Sequence, residues 1–356
     1  MTETVLVAMS GGVDSSLAAA LLVERGYRVI GATMKTFCYA ETPAHGRTCC
    51  GLDGIMDARR VCERLGVPHY VFDMEDSFGT AVMDDFVSEY VAGRTPNPCV
   101  RCNSNTKIPD LLRRGRMLGA DRIATGHYAR MLNNGGGPRI GLSSDEAKDQ
   151  TYFLWGIPQD VLPYLMFPVG DLTKPEVRER ARGLGLATAD KPESQEICFV
   201  PTGDYTDFLA DRLGTAHPAL SEGELVTRDG KVVGHHDGYG RYTVGQRKGL
   251  GGGHGRRLYV LGVVPGENHV VVGSDDELFR DVVVLGDVNW LAAAPEADAT
   301  VRVRLRHRAP LVEATVEARA DDTIRLRLSA AQRAVTPGQS GAVYDGDVLL
   351  GGGRIR

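Results

Sequence analysis

Apolar residues in the first 130 positions alternate between two periods. Val5-Leu6-Val7 is a continuous apolar run of strand length. It leads through Ala8, Met9, Ser10, Gly11 and Gly12 into Leu17-Ala18-Ala19-Ala20-Leu21-Leu22. There Leu17, Leu21 and Leu22 mark one helix face, and Gly26 suits a C-cap. Tyr27 to Thr33 reads as a second strand. A helix from about Asp53, carrying Met56 and Leu65, stops at Gly66 before Pro68. His69 to Phe72 is another strand, and a third helix carries Phe78, Val82, Phe86 and Tyr90 before Gly93. Arg122 to Thr125 is a short strand ending at Gly126-His127-Tyr128. Repeated strand-helix units of this size predict the α/β class, a doubly wound parallel sheet with its ligands at the carboxyl ends of the strands.

Asn133 to Gly137 reads as a loop tip, and helical patterns resume until about Leu186. After Cys198 the character changes. Asp229-Gly230 between Leu225-Val226 and Val232-Val233 is a hairpin signal. Gly249 to Gly255 holds five glycines in seven residues and reads as a mobile or ligand-embracing loop. Beyond about residue 280 the period is two: Val301, Val303 and Leu305 interleave with Arg302, Arg304 and Arg306, and Ile324, Leu326 and Leu328 with Arg325 and Arg327. A small central β-rich domain and a C-terminal antiparallel β-barrel follow from this. The expected domains are 1–203, the doubly wound domain; 204–278, a central domain; and 279–356, the barrel.

The junction at Ala8 to Ser16 carries the first chemistry. Gly11 and Gly12 let the main chain approach an anion, while Ser10, Ser15 and Ser16 add hydroxyl donors at a helix N-terminus. The Lys-Ser/Thr ending of a Walker A loop is absent, as is the third glycine of a dinucleotide fingerprint. Ser10-Gly-Gly-Val-Asp-Ser15 instead resembles the pyrophosphate loop of enzymes that split ATP into AMP and pyrophosphate.

Composition narrows the rest. A chain of 356 residues with 42% hydrophobic and 24% charged positions can bury real cores. No apolar run approaches the roughly 20 residues that span a bilayer, and Met1 to Thr4 leads straight into a strand, so a soluble cytoplasmic protein is expected. A net charge of −5 disfavours a general nucleic-acid coat, leaving local contacts only. Arg302, Arg304, Arg306 and Arg308 read as one such contact, a basic stripe along one strand, with an ordinary solvated face as the plainer reading.

Seven cysteines, an odd number in a chain this large, point to reduced thiols. Cys99-Val100-Arg101-Cys102 sits in a proline-rich loop, where Arg101 would favour a thiolate. Cys198 lies far away between Ile197 and Phe199. Two such thiols meeting at a nucleotide site would carry a sulfur as a persulfide on one and release it by attack of the other. A core role for Cys198, and a zinc site at Cys99 and Cys102, are the alternatives; the latter lacks a second ligand pair. Cys38, Cys49, Cys50 and Cys62 read as structural, Cys62 as core.

The motifs together resemble one family, the bacterial tRNA-specific 2-thiouridylases. They run in order as Ser10 to Ser15, Gly93-Arg-Thr-Pro-Asn-Pro98 with Cys102-Asn103, Ala124-Thr-Gly-His-Tyr128, Lys148-Asp-Gln150 with Tyr152-Phe-Leu154, Phe167-Pro-Val-Gly170, Ile197-Cys-Phe199, Gly245-Gln-Arg-Lys-Gly-Leu250, Pro337-Gly-Gln339 and Gly351-Gly-Gly353. The resemblance implies adenylation by ATP of the 2-oxygen of the wobble uridine (position 34) in tRNA, then replacement of that oxygen by sulfur. It implies Cys198 as persulfide carrier, loaded by a cysteine desulfurase or a relay protein, and Cys102 as its partner nucleophile. It implies ATP at Ala8, Met9, Ser10, Gly11, Gly12, Val13, Asp14 and Ser15, with Met34 and Gly126 near adenine and ribose and Mg2+ on the triphosphate. It implies tRNA contacts at Asn97, Pro98, Cys99, His127, Lys148, Asp149, Gln150, Arg304, Leu305 and Gln339, where His127 also reads as a structural histidine.

Where many members carry aspartate after Asn-Pro, this chain has Cys99, so that carboxylate's role does not transfer. Cys99, Cys102 and Cys198 are then candidate ligands of an iron-sulfur cluster with one open iron. A different enzyme class, a pyrophosphate-loop ligase or amidotransferase acting on a small metabolite, would need neither the paired cysteines nor a basic barrel.

Overall fold

The computed structural model describes residues 2–36, 52–133, 135–193, 197–200, 204–251 and 257–356. Cys38, Cys49 and Cys50, and most of the glycine-rich loop at 249–255, lie outside the described residues.

The apolar runs of the first part become β1 (Thr4–Ala8), β2 (Arg28–Lys35) and β3 (His69–Asp73), with α1 (Val13–Glu24) and α2 (Leu52–Leu65) between them. α1 closes on Gly26, which takes φ +82°. α3 (Glu75–Phe78) and α4 (Asp84–Val91) form one continuous rod through the π-helical turn Gly79–Met83. α5 (Pro98–Arg101) passes through a second π turn, Cys102–Lys107, into α6 (Ile108–Met117). The segment expected to be a proline-rich loop is therefore helical from Pro98 on: Asn97 accepts from Val100 N, and Pro98 sits at the first helical position, where its missing N–H costs nothing.

β4 (Arg122–Ala124) and the two-residue β7 (Leu165–Met166) complete a fully parallel sheet of order β3-β2-β1-β4-β7. Alternation along β1 divides the core. Val5, Val7 and Met9 pack with α1, α2 and α7 (Lys174–Gly183), while Leu6 and Ala8 face α6 and residues of the C-terminal domain. Full burial of Leu6, Leu17 and Leu22 stabilises by about 1.5–3 kcal/mol each. The chain reverses its direction of winding between β1 and β4, which opens the crevice where sheets of this kind bind ligands.

Between residues 133 and 165 the expected helical continuation is not what forms. β5 (Arg130–Asn133) and β6 (Pro138–Gly141) make a hairpin whose β6 joins the C-terminal sheet, and short 3-10 turns follow. These strands are four residues each and draw their stability from a partner far along the chain, which no local period reveals.

α8 (Tyr205–Leu213) leads into β8 (Gly223–Val226), β9 (Val232–His236), β10 (Tyr259–Val264) and β11 (His269–Gly273), a sheet of order β10-β11-β8-β9 that contains the expected hairpin. The last part comprises β12 (Phe279–Trp290), β13 (Thr300–Arg304), β14 (Val312–Arg319), β15 (Thr323–Arg333), β16 (Ser340–Asp345) and β17 (Val348–Ile355). Pairing of β12 with both β15 and β17 closes these six into a barrel. Val301, Val303, Ile324, Leu326 and Leu328 fill it as the period-two pattern requires.

The basic stripe does not form. β13 ends at Arg304, whose side chain turns inward and is buried; Arg302 pairs with Asp347 at 3.6 Å; Arg306 and Arg308 lie exposed beyond the strand. Arg325 and Arg327 on β15 share Glu317, so the outer face there is charge-balanced.

Candidate nucleotide and thiol site

The loop after β1 is pinned by its own serines. Ser10 N donates to Ser15 Oγ at 3.2 Å, Ser15 Oγ to Gly12 O at 3.2 Å and Ser16 Oγ to Gly12 O at 2.8 Å. Gly11 takes φ +70°, and a Cβ there would sit 2.2 Å from Gly54 O, so no other residue fits. Gly12 caps α1 without a side chain, which leaves the first N–H groups of a twelve-residue helix to be met by an anion. Gly126, just past β4, stands across the crevice: a Cβ there would lie 2.6 Å from Ser15 N. Met34 is buried near the end of β2.

Around this loop the fold gathers three lysines and three carboxylates. Lys174 Nζ donates to Asp14 Oδ1 at 2.7 Å and Oδ2 at 2.8 Å, and Tyr128 OH donates to Asp14 Oδ1 at 2.7 Å. Lys174 also lies 3.0 Å from Glu193, whose carboxylate accepts from Lys148 at 2.8 Å. Lys191 bridges Gly11 O at 3.0 Å and Asp57 at 2.6 Å. Burial alone would raise Glu193, but hydrogen bonds from Lys148 and Lys174 hold its carboxyl down at about 2. Burial, joined by Asp14, pushes the Tyr128 phenol far up. Lys174 and Lys191 escaped the reading of the sequence. Lys174 is the first residue of α7, where the helix dipole opposes a cation; a lysine in so unfavourable a place was the available signal.

Cys102 opens the π turn and packs, partly buried, against the cluster Phe78, Phe86, Tyr90 and Phe199; Cys198 packs against that same cluster. Cys99 is exposed, one helical turn before Cys102. Cys62 is fully buried, and burial, with Glu63 adding to it, pushes its thiol up to about 12, as suits a core cysteine. Arg101 does not stand over the thiols as an isolated cation: its Nε and Nη2 donate to Asp85 Oδ1 at 3.0 and 2.9 Å. Among the described residues no three His, Cys, Asp or Glu side chains gather into a metal-binding set.

The residues expected to meet tRNA fall into two groups. Asn97, Cys99, Lys148 and Gln150 reach the surface at least in part. Gln150 clamps Tyr128, accepting from its N at 3.0 Å and donating its own N–H to its carbonyl at 2.9 Å. His127, partly exposed, has Nδ1 2.8 Å from Thr125 Oγ1; burial of its ring, then the Lys107 charge, pushes its imidazolium down to about 3. The other group is mostly buried, with Gln339 half-buried. Pro98 and Leu305 are buried, and Asp149 and Arg304 are buried against each other at 2.6 Å. Gln339 turns back on its own chain, donating to Thr95 O at 3.0 Å and Pro96 O at 3.1 Å. Segment 149–157 is thus the seam with the barrel, as Thr151 and Tyr152 meet Tyr344 and Ser340, and Asn289 Nδ2 donates to Trp155 O at 2.7 Å.

A parallel sheet with an uncapped helix at its switch point, followed by two β domains, defines a three-part protein led by a HUP-type domain. Residues 3–202 match the tRNA methyl transferase HUP domain, 206–274 the tRNA methyl transferase PRC-barrel domain, and 280–355 the aminomethyltransferase beta-barrel domain. The chain belongs to the tRNA-specific 2-thiouridylase family. It is 49% identical over 358 residues to tRNA-specific 2-thiouridylase MnmA of Geotalea uraniireducens, covering 99% of this chain and 95% of the relative. It is 48% identical to the protein of that name from Rhodospirillum centenum, covering 99% and 91%, and 47% to that from Koribacter versatilis, covering 99% of each.

Proposed function

We propose that this protein is a tRNA-uridine 2-sulfurtransferase that converts the wobble uridine to 2-thiouridine. The observation that carries this reading is the meeting of Cys102 and Cys198, distant in sequence, on one aromatic cluster, with Glu193 tying the Cys198 segment to the loop lysines.

ATP lies with its phosphates on the N–H groups of Gly11 to Ser15. Its oxygens displace Asp14 and Glu193 from Lys174 and Lys148, exchanging one set of charge pairs for another without burying an unpaired ammonium. The uridine 2-oxygen attacks the α-phosphorus, pyrophosphate leaves, and C2 now bears AMP as leaving group. Asp14 and the phosphates suit Mg2+, which supplies charge neutralisation on the departing pyrophosphate. A cysteine desulfurase or relay protein loads Cys198 as Cys-S-SH. Cys102 thiolate attacks the inner sulfur, forming a Cys102–Cys198 disulfide and freeing hydrosulfide, which adds at C2 and expels AMP. An external thiol reductant then restores both cysteines. Among the described residues Cys99, Cys102 and Cys198 do not gather into a three-ligand metal set, and no step is assigned to an iron-sulfur cluster.

The tRNA contacts proposed for this state are Asn97, Cys99, Lys148 and Gln150. Asp149, Arg304, Leu305 and Gln339 support them from behind. Incubation with tRNA, ATP, cysteine and a desulfurase, followed by mass analysis of nucleosides, is expected to yield 2-thiouridine. Its absence from a mixture in which a known 2-thiouridylase succeeds would overturn the reading, and pyrophosphate release without tRNA would favour a small-metabolite ligase.

A further inference from the structure

We propose that Arg354, on the last strand of the barrel, is a positioning residue for the helix that carries Cys99 and Cys102. It acts through Asp85 and Glu89 of α4. Asp85 Oδ1 accepts from Arg101 at 2.9 Å and from Arg354 Nη2 at 2.9 Å, and Arg354 reaches its Oδ2 at 3.2 Å. Glu89, only 2% exposed, accepts from Arg354 Nη1 at 2.5 Å and from Arg94 Nε at 2.8 Å. Three guanidiniums therefore share two carboxylates. Arg94 precedes α5, Arg101 ends it, and Arg354 is the member contributed by the other domain.

The need for such a node follows from α5 itself. α5 is the first turn of the helical run that continues through the π turn into α6, with Val100 anchored in the core and Arg101 at the edge. Its barrel side borders a cavity lined by Asn97, Val100, Arg101, Trp155, Ser340 and Arg354. Along that cavity the bridged charges of Arg101–Asp85–Arg354 tie the end of α5 to the barrel, and the planar guanidinium serves both carboxylates at once in a way an ammonium does not. The sulfur-transfer step depends on where Cys102 stands, whereas the adenylation loop is held by other groups.

The inference rests on the sulfurtransferase reading for its kinetic test, and a second readout is independent of it. In the full-length protein, Arg354→Met is expected to leave tRNA-dependent pyrophosphate release near the wild-type rate while single-turnover sulfur transfer at saturating tRNA falls by about a hundredfold, the usual effect of misplacing a reacting group by an ångström. Arg354→Lys is expected to restore part of it, and Arg101→Met to reproduce the selective loss from the opposite side. Independently of any substrate, iodoacetamide should alkylate Cys102 faster in Arg354→Met, with buried Cys62 still protected. Unchanged transfer, equal loss of both steps, or Cys62 labelled alongside Cys102 would each overturn the proposal. Failure of the wild-type protein to make 2-thiouridine would instead overturn the functional reading and leave the alkylation test standing.

Discussion

Arg304 on β13 donates through Nη1 to Asp149 Oδ1 at 2.6 Å, joining barrel and catalytic sheet in the interior. Asp149 also accepts from Ser143 N at 2.8 Å and Thr151 Oγ1 at 2.6 Å, so its lone pairs are engaged on every side. Removing either partner strands a buried charge. Arg304→Met or Asp149→Ala is expected to destabilise the fold by about 3–5 kcal/mol, and the double variant by much less than the sum. Denaturant unfolding of the four proteins measures the coupling; additive losses would mean that the pair is not an energetic unit.

Lys174 is the cation closest to the loop carboxylate Asp14. Lys174→Met is expected to lower the rate of pyrophosphate release by about a hundredfold or more, with a smaller effect on tRNA affinity. Quench-flow measurement of pyrophosphate, with filter binding of tRNA in parallel, separates the two. Retention of the wild-type rate would remove Lys174 from the phosphate site.

The three thiols of the site should divide by function. Cys198→Ser and Cys102→Ser are expected to abolish 2-thiouridine formation while pyrophosphate is still released, and Cys102→Ser should let Cys198 accumulate one sulfur atom heavier in the mass spectrum. Cys99→Asp, which restores the residue common in the family, is expected to retain thiolation. Loss of activity there would give Cys99 a duty that its exposed position does not suggest.

Acid should act on two groups in the same direction. His127 has its folded pKa depressed to about 3 from 6.5, and Glu193 to about 2 from 4.5. In both cases the unfolded chain binds more protons, so folding stability rises with pH. The contribution is complete above about 6.5 and is lost progressively as pH falls toward 3 and 2. His127→Gln should flatten the upper part of that profile, and Glu193→Gln the lower, in urea titrations at fixed salt. A His127 ring that titrates near 6.5 by NMR would contradict the first.

How much of this was legible depends on how local the cause is. β1, its glycine turn and α1 were read directly, because a buried strand, a positive-φ glycine and a helix with three consecutive alanines each leave a short-range signature. α5 was also written in the sequence: Asn97 before Pro98 is a helix-start pattern, but the prolines around it drew the reading toward a loop. The turn of hairpin β5–β6 was legible as the loop tip at Asn133 to Gly137, but its strands were not, since β6 pairs with β17 far along the chain. Arg304 was read as outward by alternation, and only the carboxylate of Asp149 inside explains why it turns the other way. The aromatic cluster that gathers Cys102 with Cys198 could not be foreseen from either cysteine's neighbours, although Phe78, Phe86 and Tyr90 were visible as one helix face.

The core beneath the parallel sheet includes Leu291, Ala342, Tyr344 and Leu349, and β6 hydrogen-bonds to β17. During synthesis, therefore, the catalytic half emerges long before the residues that finish its interior. Until the final strand leaves the ribosome, Ile140, Tyr152 and Leu154 remain without their cover. A chain cut short anywhere in the barrel thus leaves the loop after β1 on an unfinished scaffold.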